Sequence, residues 1–257
     1  MKTKSCIKSK KIIPSKIDLL SKLIIMLFIT PFSINAQYQQ DNSINEFISV
    51  IDSGYGSDFL LKNGRIYINE HTRANGNPFF MSDIWYNSKL VLDNKEYKDF
   101  KIKYDICNDK VLCVINGPEK IDFPIVLNSD FINGFKIDNH QFIHATQLAF
   151  PLNGFYELIY SGKNIQAIAK WSKKFSRIYT AQYQGEFTNA KKVLHVIMNK
   201  NIYSINDEKD FLKLFAINKK VKDFMRSNHI KLLKSDNENL IKLFQFCDET
   251  IENQSNR

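Results

Sequence analysis

The chain of 257 residues carries 36 Lys and Arg against 27 Asp and Glu, a formal charge of +9, with 44% hydrophobic and 25% charged residues. That balance excludes wholesale disorder, and only 9 Gly and 6 Pro exclude a collagen-like or low-complexity chain. A load of 20 Phe, 11 Tyr and 2 Trp favours a packed, strand-rich core.

Residues 1–22 hold seven Lys and one acid, Asp18, and the apolar run Leu23–Phe32 (LIIMLFITPF) follows. A basic stretch, a short apolar core and a small residue at Ala36 are the parts of a secretory signal peptide, with the cut expected after Ala36 and an uncleaved anchor as the alternative. The run is shorter than the ~20 residues that span a bilayer. No Cys directly follows it, so a lipid-anchored N-terminus is not supported. Removing residues 1–36 leaves 29 bases and 26 acids, +3, so the basicity is mostly targeting sequence and no nucleic-acid footprint is expected. The remaining charge is uneven: −5 over residues 37–162, +11 over 163–234 and −3 over 235–257. The basic segment, with Lys170, Lys173, Lys174 and Arg177, is the candidate contact for an anionic envelope component or another envelope protein. Its bland counterpart is a solvated, lysine-rich surface.

Residues 37–57 read as a loosely held leader. From Asp58 onward, short runs rich in Phe, Tyr, Ile and Val alternate with turn chemistry. Lys62-Asn63-Gly64 joins 58–61 to 65–68, Asp93-Asn94-Lys95 joins 89–92 to 96–97, and Asp138-Asn139 joins 131–137 to 141–145. Further strands are predicted at 100–106, 110–115, 121–127, 155–160, 165–171, 177–183, 192–198 and 202–205. In 100–106, Phe100, Ile102, Tyr104 and Ile106 alternate with Lys101, Lys103 and Asp105, the period of a half-buried antiparallel strand. About a dozen such runs predict an antiparallel meander over 58–205, as a barrel or sandwich. The period then changes. Residues 207–216, after Asn206 as cap, and 219–228 carry apolar helical faces, and Ser235-Asp236-Asn237-Glu238 fits a capping box before Leu240. The expectation is a mainly β fold (α+β) with a three-helix C-terminal cap over 206–250 and a tail, 251–257.

Beyond Cys6, three cysteines remain, an odd number. Neither a two- nor a three-residue loop in YDICNDKVLCVI sets Cys107 opposite Cys113, so a disulfide there would need a wider loop, and all three are read as small buried hydrophobes. Val50-Ile51-Asp52-Ser53-Gly54 fits the aspartic-protease pattern, but no second copy exists and this one lies in the leader. His140 and His144, four apart on a predicted strand, stand ~13 Å from each other, too far for one ion. No G-x-S-x-G elbow or phosphate loop is present, and Glu119 and Asp122 are no more suggestive than other surface acids. No catalytic residue, cofactor or metal ligand is predicted. The segment Asn75–Tyr86 (NGNPFFMSDIWY) gathers Phe79, Phe80, Trp85 and Tyr86. Exposed, they would form a sugar-stacking or protein-docking surface; burial, plugging the end of the sheet, is the favoured reading.

Three stretches, Gly76–Leu112, Gly154–Phe175 and Asp210–Leu232, resemble an uncharacterised family of secreted bacterial proteins with an aromatic G-x-P-F/Y-F segment, a YD-I/L hairpin and a helical C-terminus. The resemblance covers roughly 58–245 and rests on Gly76, Pro78, Phe80, Trp85, Tyr104, Asp105, Gly154, Tyr156, Gly162 and Lys163. It implies export and a common fold and assigns no activity. The reading is a non-catalytic binding or scaffold protein, periplasmic or extracellular. A hydrolase of envelope polysaccharide or peptide is the alternative. A membrane-spanning barrel is disfavoured, because strands of five to seven residues fall short of the 9–11 that cross a bilayer.

Overall fold

The computed structural model describes residues 64–116, 122–215 and 218–255. The chain divides into Met1–Ser43 and Ile44–Arg257, and everything described belongs to the second unit. The predicted signal, the leader with Asp52-Ser53-Gly54, the strand over 58–61 and Glu119 lie outside the described residues.

Among the described residues there are thirteen strands: β1 (Arg65–Ile66), β2 (Tyr86–Leu92), β3 (Lys95–Asp105), β4 (Lys110–Asn116), β5 (Asp122–Val126), β6 (Ile132–Ile137), β7 (His140–His144), β8 (Phe155–Ser161), β9 (Ile165–Ser172), β10 (Phe175–Ser176), β11 (Glu186–Phe187), β12 (Lys191–Met198) and β13 (Asn201–Ile205). Eleven form one antiparallel sheet in the order β1-β5-β4-β3-β2-β6-β7-β8-β9-β12-β13, and β10 pairs with β11. The sheet is two meanders joined where β2 pairs with β6. Tight turns set the registers: Asp93 and Asn94 both take positive φ, as do Asn199 and Lys200, which suits two-residue hairpin loops. Asp99, also at positive φ, sits in a bulge where two residues of β3 oppose one of β2.

The sheet is open yet strongly curled. In a flat sheet, four strand spacings between β3 and β8 would hold them ~19 Å apart. The Tyr104 and Phe155 rings, on those strands, are 5.9 Å apart, and both belong to one apolar cluster with Phe80, Phe135 and Phe142. The predicted barrel or sandwich is therefore an antiparallel meander rolled about its own core without closing, its edges being β1 and β13.

Three helices follow the strands: α1 (Glu208–Lys213), α2 (Asn218–Ser227) and α3 (Asn237–Ser255). Their apolar faces, with Phe211, Val221, Met225, Leu240, Leu243, Phe244 and Cys247, cover Ile165, Ala167, Ala169, Leu194 and Val196 in a second cluster. The small Ala167 and Ala169 let the helices approach the sheet closely.

Four local expectations change. Residues 177–183 form no strand, because no neighbouring strand pairs with them and Thr180 folds the segment back: its Oγ1 accepts from Gln182 N and Tyr183 N. Helix α1 is capped by Asp207, whose side chain accepts from Asp210 N at 2.8 Å, and not by Asn206. At α3, Asp236 Oδ1 accepts from Asn239 N, whereas Ser235 Oγ accepts from Lys231 N in the preceding turn. Helix α3 continues to Ser255, through most of the expected tail.

Candidate functional site

Period-two alternation along β8 puts Phe155, Glu157 and Ile159 on the core face. Phe155 belongs to the first apolar cluster and Ile159 to the second, so Glu157 lies at their junction, fully buried. A buried carboxylate is tolerable only when its oxygens are satisfied. Three elements supply donors. His140, which opens β7 after the Asp138-Asn139 turn, bonds Oε1 through Nδ1. Asn237, the first residue of α3, donates Nδ2 to Oε1 at 2.5 Å. Trp171 of β9 donates Nε1 to Oε2 at 2.6 Å. Burial pushes the Glu157 carboxyl up, but the bonds from His140, Asn237 and Trp171 outweigh it and hold the group below its ordinary 4.5. Lys192 of β12, opposite Trp171 in the ladder, places its ammonium 5.6 Å from the centre of that ring. Burial lowers the Lys192 pKa, with the negative charges of Glu157 and Asp236 opposing.

This group reaches the surface at a cleft of about 430 Å³ whose walls include Asn77, Phe80, Met81, His140, Trp171 and Thr188. The size suits a small ligand. Phe80 organises its apolar side: His140 meets it edge-on at 5.0 Å and Trp171 at 5.1 Å. Lys173 also lines the cleft, but its ammonium is committed to the carbonyls of Asn77 (2.9 Å) and Phe79 (2.7 Å). The Thr188 hydroxyl accepts from Lys174 N. A larger cavity of about 750 Å³ runs along β1 past Glu70, Asp105 and Asp130. There Asp105 is occupied by the amides of Cys107 and Asn108 and by Asn108 Nδ2.

The residues singled out by sequence separate. Phe79 and Phe80 are buried, and only Phe80 reaches the cleft. Trp85 is half-buried with Lys103 over its ring at 4.6 Å, and Tyr86 shares a hydrogen bond with Ser82 at 2.7 Å. Lys170 pairs with Asp109 at 2.7 Å, donates to the Phe155 carbonyl at 3.0 Å and lies over Tyr156. Lys170 and Lys173 thus direct their charge inward, while Lys174 and Arg177 are exposed. Sequence reasoning missed Glu157, Trp171 and Asn237 and weighed His140 only as a metal ligand.

Cys107, Cys113 and Cys247 are free; Cys113 and Cys247 are buried as expected, whereas Cys107, in the hairpin loop, is only half-buried. The hairpin loop is four residues wide, and in that register Cys113 faces Ile102. Among the described residues, no three His, Cys, Asp or Glu groups are placed to hold a metal ion. Nor is any described helix long and apolar enough to cross a membrane. Compared with known proteins, the chain matches no protein-family profile, no curated protein and no solved structure.

Proposed function

We propose that the protein is a non-catalytic binding protein, secreted or held in the cell envelope, and that its ligand enters the cleft above Glu157 and His140. The observation that carries this reading is the character of the lining: aromatic rings, amides and one imidazole whose orientation is fixed by a buried carboxylate. Among the described lining residues there is no Asp, Glu, Ser or Cys, the Thr188 hydroxyl already accepts from Lys174 N, and the one ammonium is spent on backbone carbonyls. Such a surface suits a neutral ligand with an apolar face and several hydroxyls, as a sugar ring offers. Its C–H face would lie on aromatic carbon and its hydroxyls would meet amide and imidazole. A second reading has one observation in its favour. Glu157 holds His140 Nδ1 as a general base is held by its orienting carboxylate, which would let His140 activate water in a hydrolase of envelope polymers.

Trp171 is part of the wall, so binding is read as a change in tryptophan emission in a Trp85→Phe background. Neutral soluble oligosaccharides, N-acetylglucosamine oligomers among them, are expected to give a saturable change without being shortened, and His140→Ala to weaken binding about tenfold. Shortened oligosaccharides by mass spectrometry, abolished in His140→Asn, would establish the hydrolase instead. No saturable change with any of these ligands would remove the cleft as the site.

A further inference from the structure

The segment between β10 and β11 is a built projection on the surface. At its base β10 and β11 pair, Phe175 stacks on His71 at 3.8 Å between ring centres, and the backbone of residues 73–75 bonds Gln184, Gly185 and Phe187. At its tip Thr180 N donates to the Tyr183 carbonyl and Thr180 Oγ1 accepts from two amides, which closes a tight turn. This framework holds large apolar side chains in water: Ile178 is 45% exposed, Tyr179 75% and Tyr183 39%. Lys174 and Arg177 are exposed beside them, as is Arg73 on the adjoining segment. No acid occurs in the sequence from Lys170 to Gly185; Glu186 follows it, and Glu70 lines the cavity beside it.

We propose that this projection docks the protein on an anionic lipid surface, with Ile178, Tyr179 and Tyr183 entering the headgroup region and Arg73, Lys174 and Arg177 meeting the lipid charges. Arg73, Arg177 and Tyr179 also border a cavity of about 370 Å³ at the foot of the projection, so a bound peptide is an outcome the test must separate from lipid. Tyrosine, isoleucine and arginine together are the chemistry of a membrane interface, where a ring settles at headgroup depth and a guanidinium pairs with phosphate. Lys170 and Lys173 stand outside the contact, because their ammonium groups are bound within the fold.

The test uses the full chain with vesicles of phosphatidylcholine containing about one-third phosphatidylglycerol, read by hydrogen exchange over residues 177–184. Anionic vesicles are expected to protect that segment and zwitterionic vesicles to protect it far less. The triple variant Ile178→Ser, Tyr179→Ser, Tyr183→Ser should lose the protection, and Tyr179→Ser alone, whose side chain is 75% exposed, should weaken it with unchanged thermal stability. Arg177→Gln should reduce vesicle affinity about threefold, with a weaker dependence on salt. The basic N-terminal stretch is common to every variant, so differences among them report the projection. Absence of protection, or equal protection on zwitterionic vesicles, would overturn the proposal. Equal protection by a soluble polyanion, an acidic peptide included, would also overturn it, assigning the surface to an acidic polymer.

Discussion

Glu157 shows how one residue can tie distant parts of a fold together. Its carboxylate is removed from water at the junction of two apolar clusters, a position that costs several kcal/mol for an unsatisfied charge. His140, Trp171 and Asn237 satisfy it, each from a different element, so the charge converts three separate contacts into one dependent group. Replacement by Gln keeps one acceptor oxygen and points an N–H₂ at donors. We expect Glu157→Gln to lower unfolding free energy by about 3 kcal/mol, since each stranded buried donor costs ~1–3 kcal/mol. Trp171→Phe removes a single donor but strands half of the carboxylate, and should cost less, about 1–2 kcal/mol. Urea titration with an unchanged m-value is the measurement. A loss under ~0.5 kcal/mol for Glu157→Gln would mean that the network holds nothing together.

At the scale of elements, α3 is fixed to the sheet by Asp248 as well as by Asn237. Asp248 accepts from Lys163 N and Asn164 N, both at 2.8 Å, and from the Tyr160 hydroxyl at 3.1 Å, so it closes the β8–β9 loop from outside. Gly162 is required there, because a Cβ would meet Asp248 Oδ2 at 2.1 Å. Asp248→Ala should cost about 2–4 kcal/mol through its stranded amides and raise hydrogen exchange at residues 162–164 before the rest of the sheet. Most hairpins were legible because the turn residues announce themselves: Asp93-Asn94 and Asp138-Asn139 sit between alternating runs. The curl of the sheet was not, since it depends on which aromatic rings meet across strands far apart in sequence. Residues 177–183 alternate well enough to read as a strand, and only the absence of a pairing partner makes them a projection. The cleft was half legible. Phe80 and Lys173 stood out by composition, but in FYELIY both alternating faces are apolar apart from Glu157, so periodicity alone does not say which face holds the carboxylate. His140 was weighed only against His144 as a metal pair and set aside, because its partner Glu157 is seventeen residues away on the next strand.

For the molecule as a whole, these buried groups set opposite limits in pH. His144 and His195 are held below 6.5 chiefly by burial, and Glu157 below 4.5 by its donors. Depressed values give stability that is present above the unfolded pKa and lost as pH falls through the folded one, so the fold weakens first below about 6.5 and again below about 4.5. At the other end burial pushes the Cys113 and Cys247 thiols from 9.0 up to about 12, the Asp248 charge adding to the second. Tyr104 is raised well above 10.0 by burial and by Asp109. Raised values give stability that is full below the unfolded pKa and lost as pH climbs towards the folded one. Lys173 and Lys192, lowered from 10.5 by burial, oppose this until the unfolded chain loses those protons, which leaves the steep decline above about 10.5. Each buried thiol then contributes ~1.4 kcal/mol per pH unit to the slope. In reducing buffer, Cys247→Ala should lower stability at neutral pH through its small cavity and also flatten the alkaline limb by about one proton, with Cys113→Ala doing the same. Limbs that stay parallel to that of the parent chain would mean the thiols ionise as freely inside the fold as outside it, and would exclude buried thiols as the cause of alkaline unfolding.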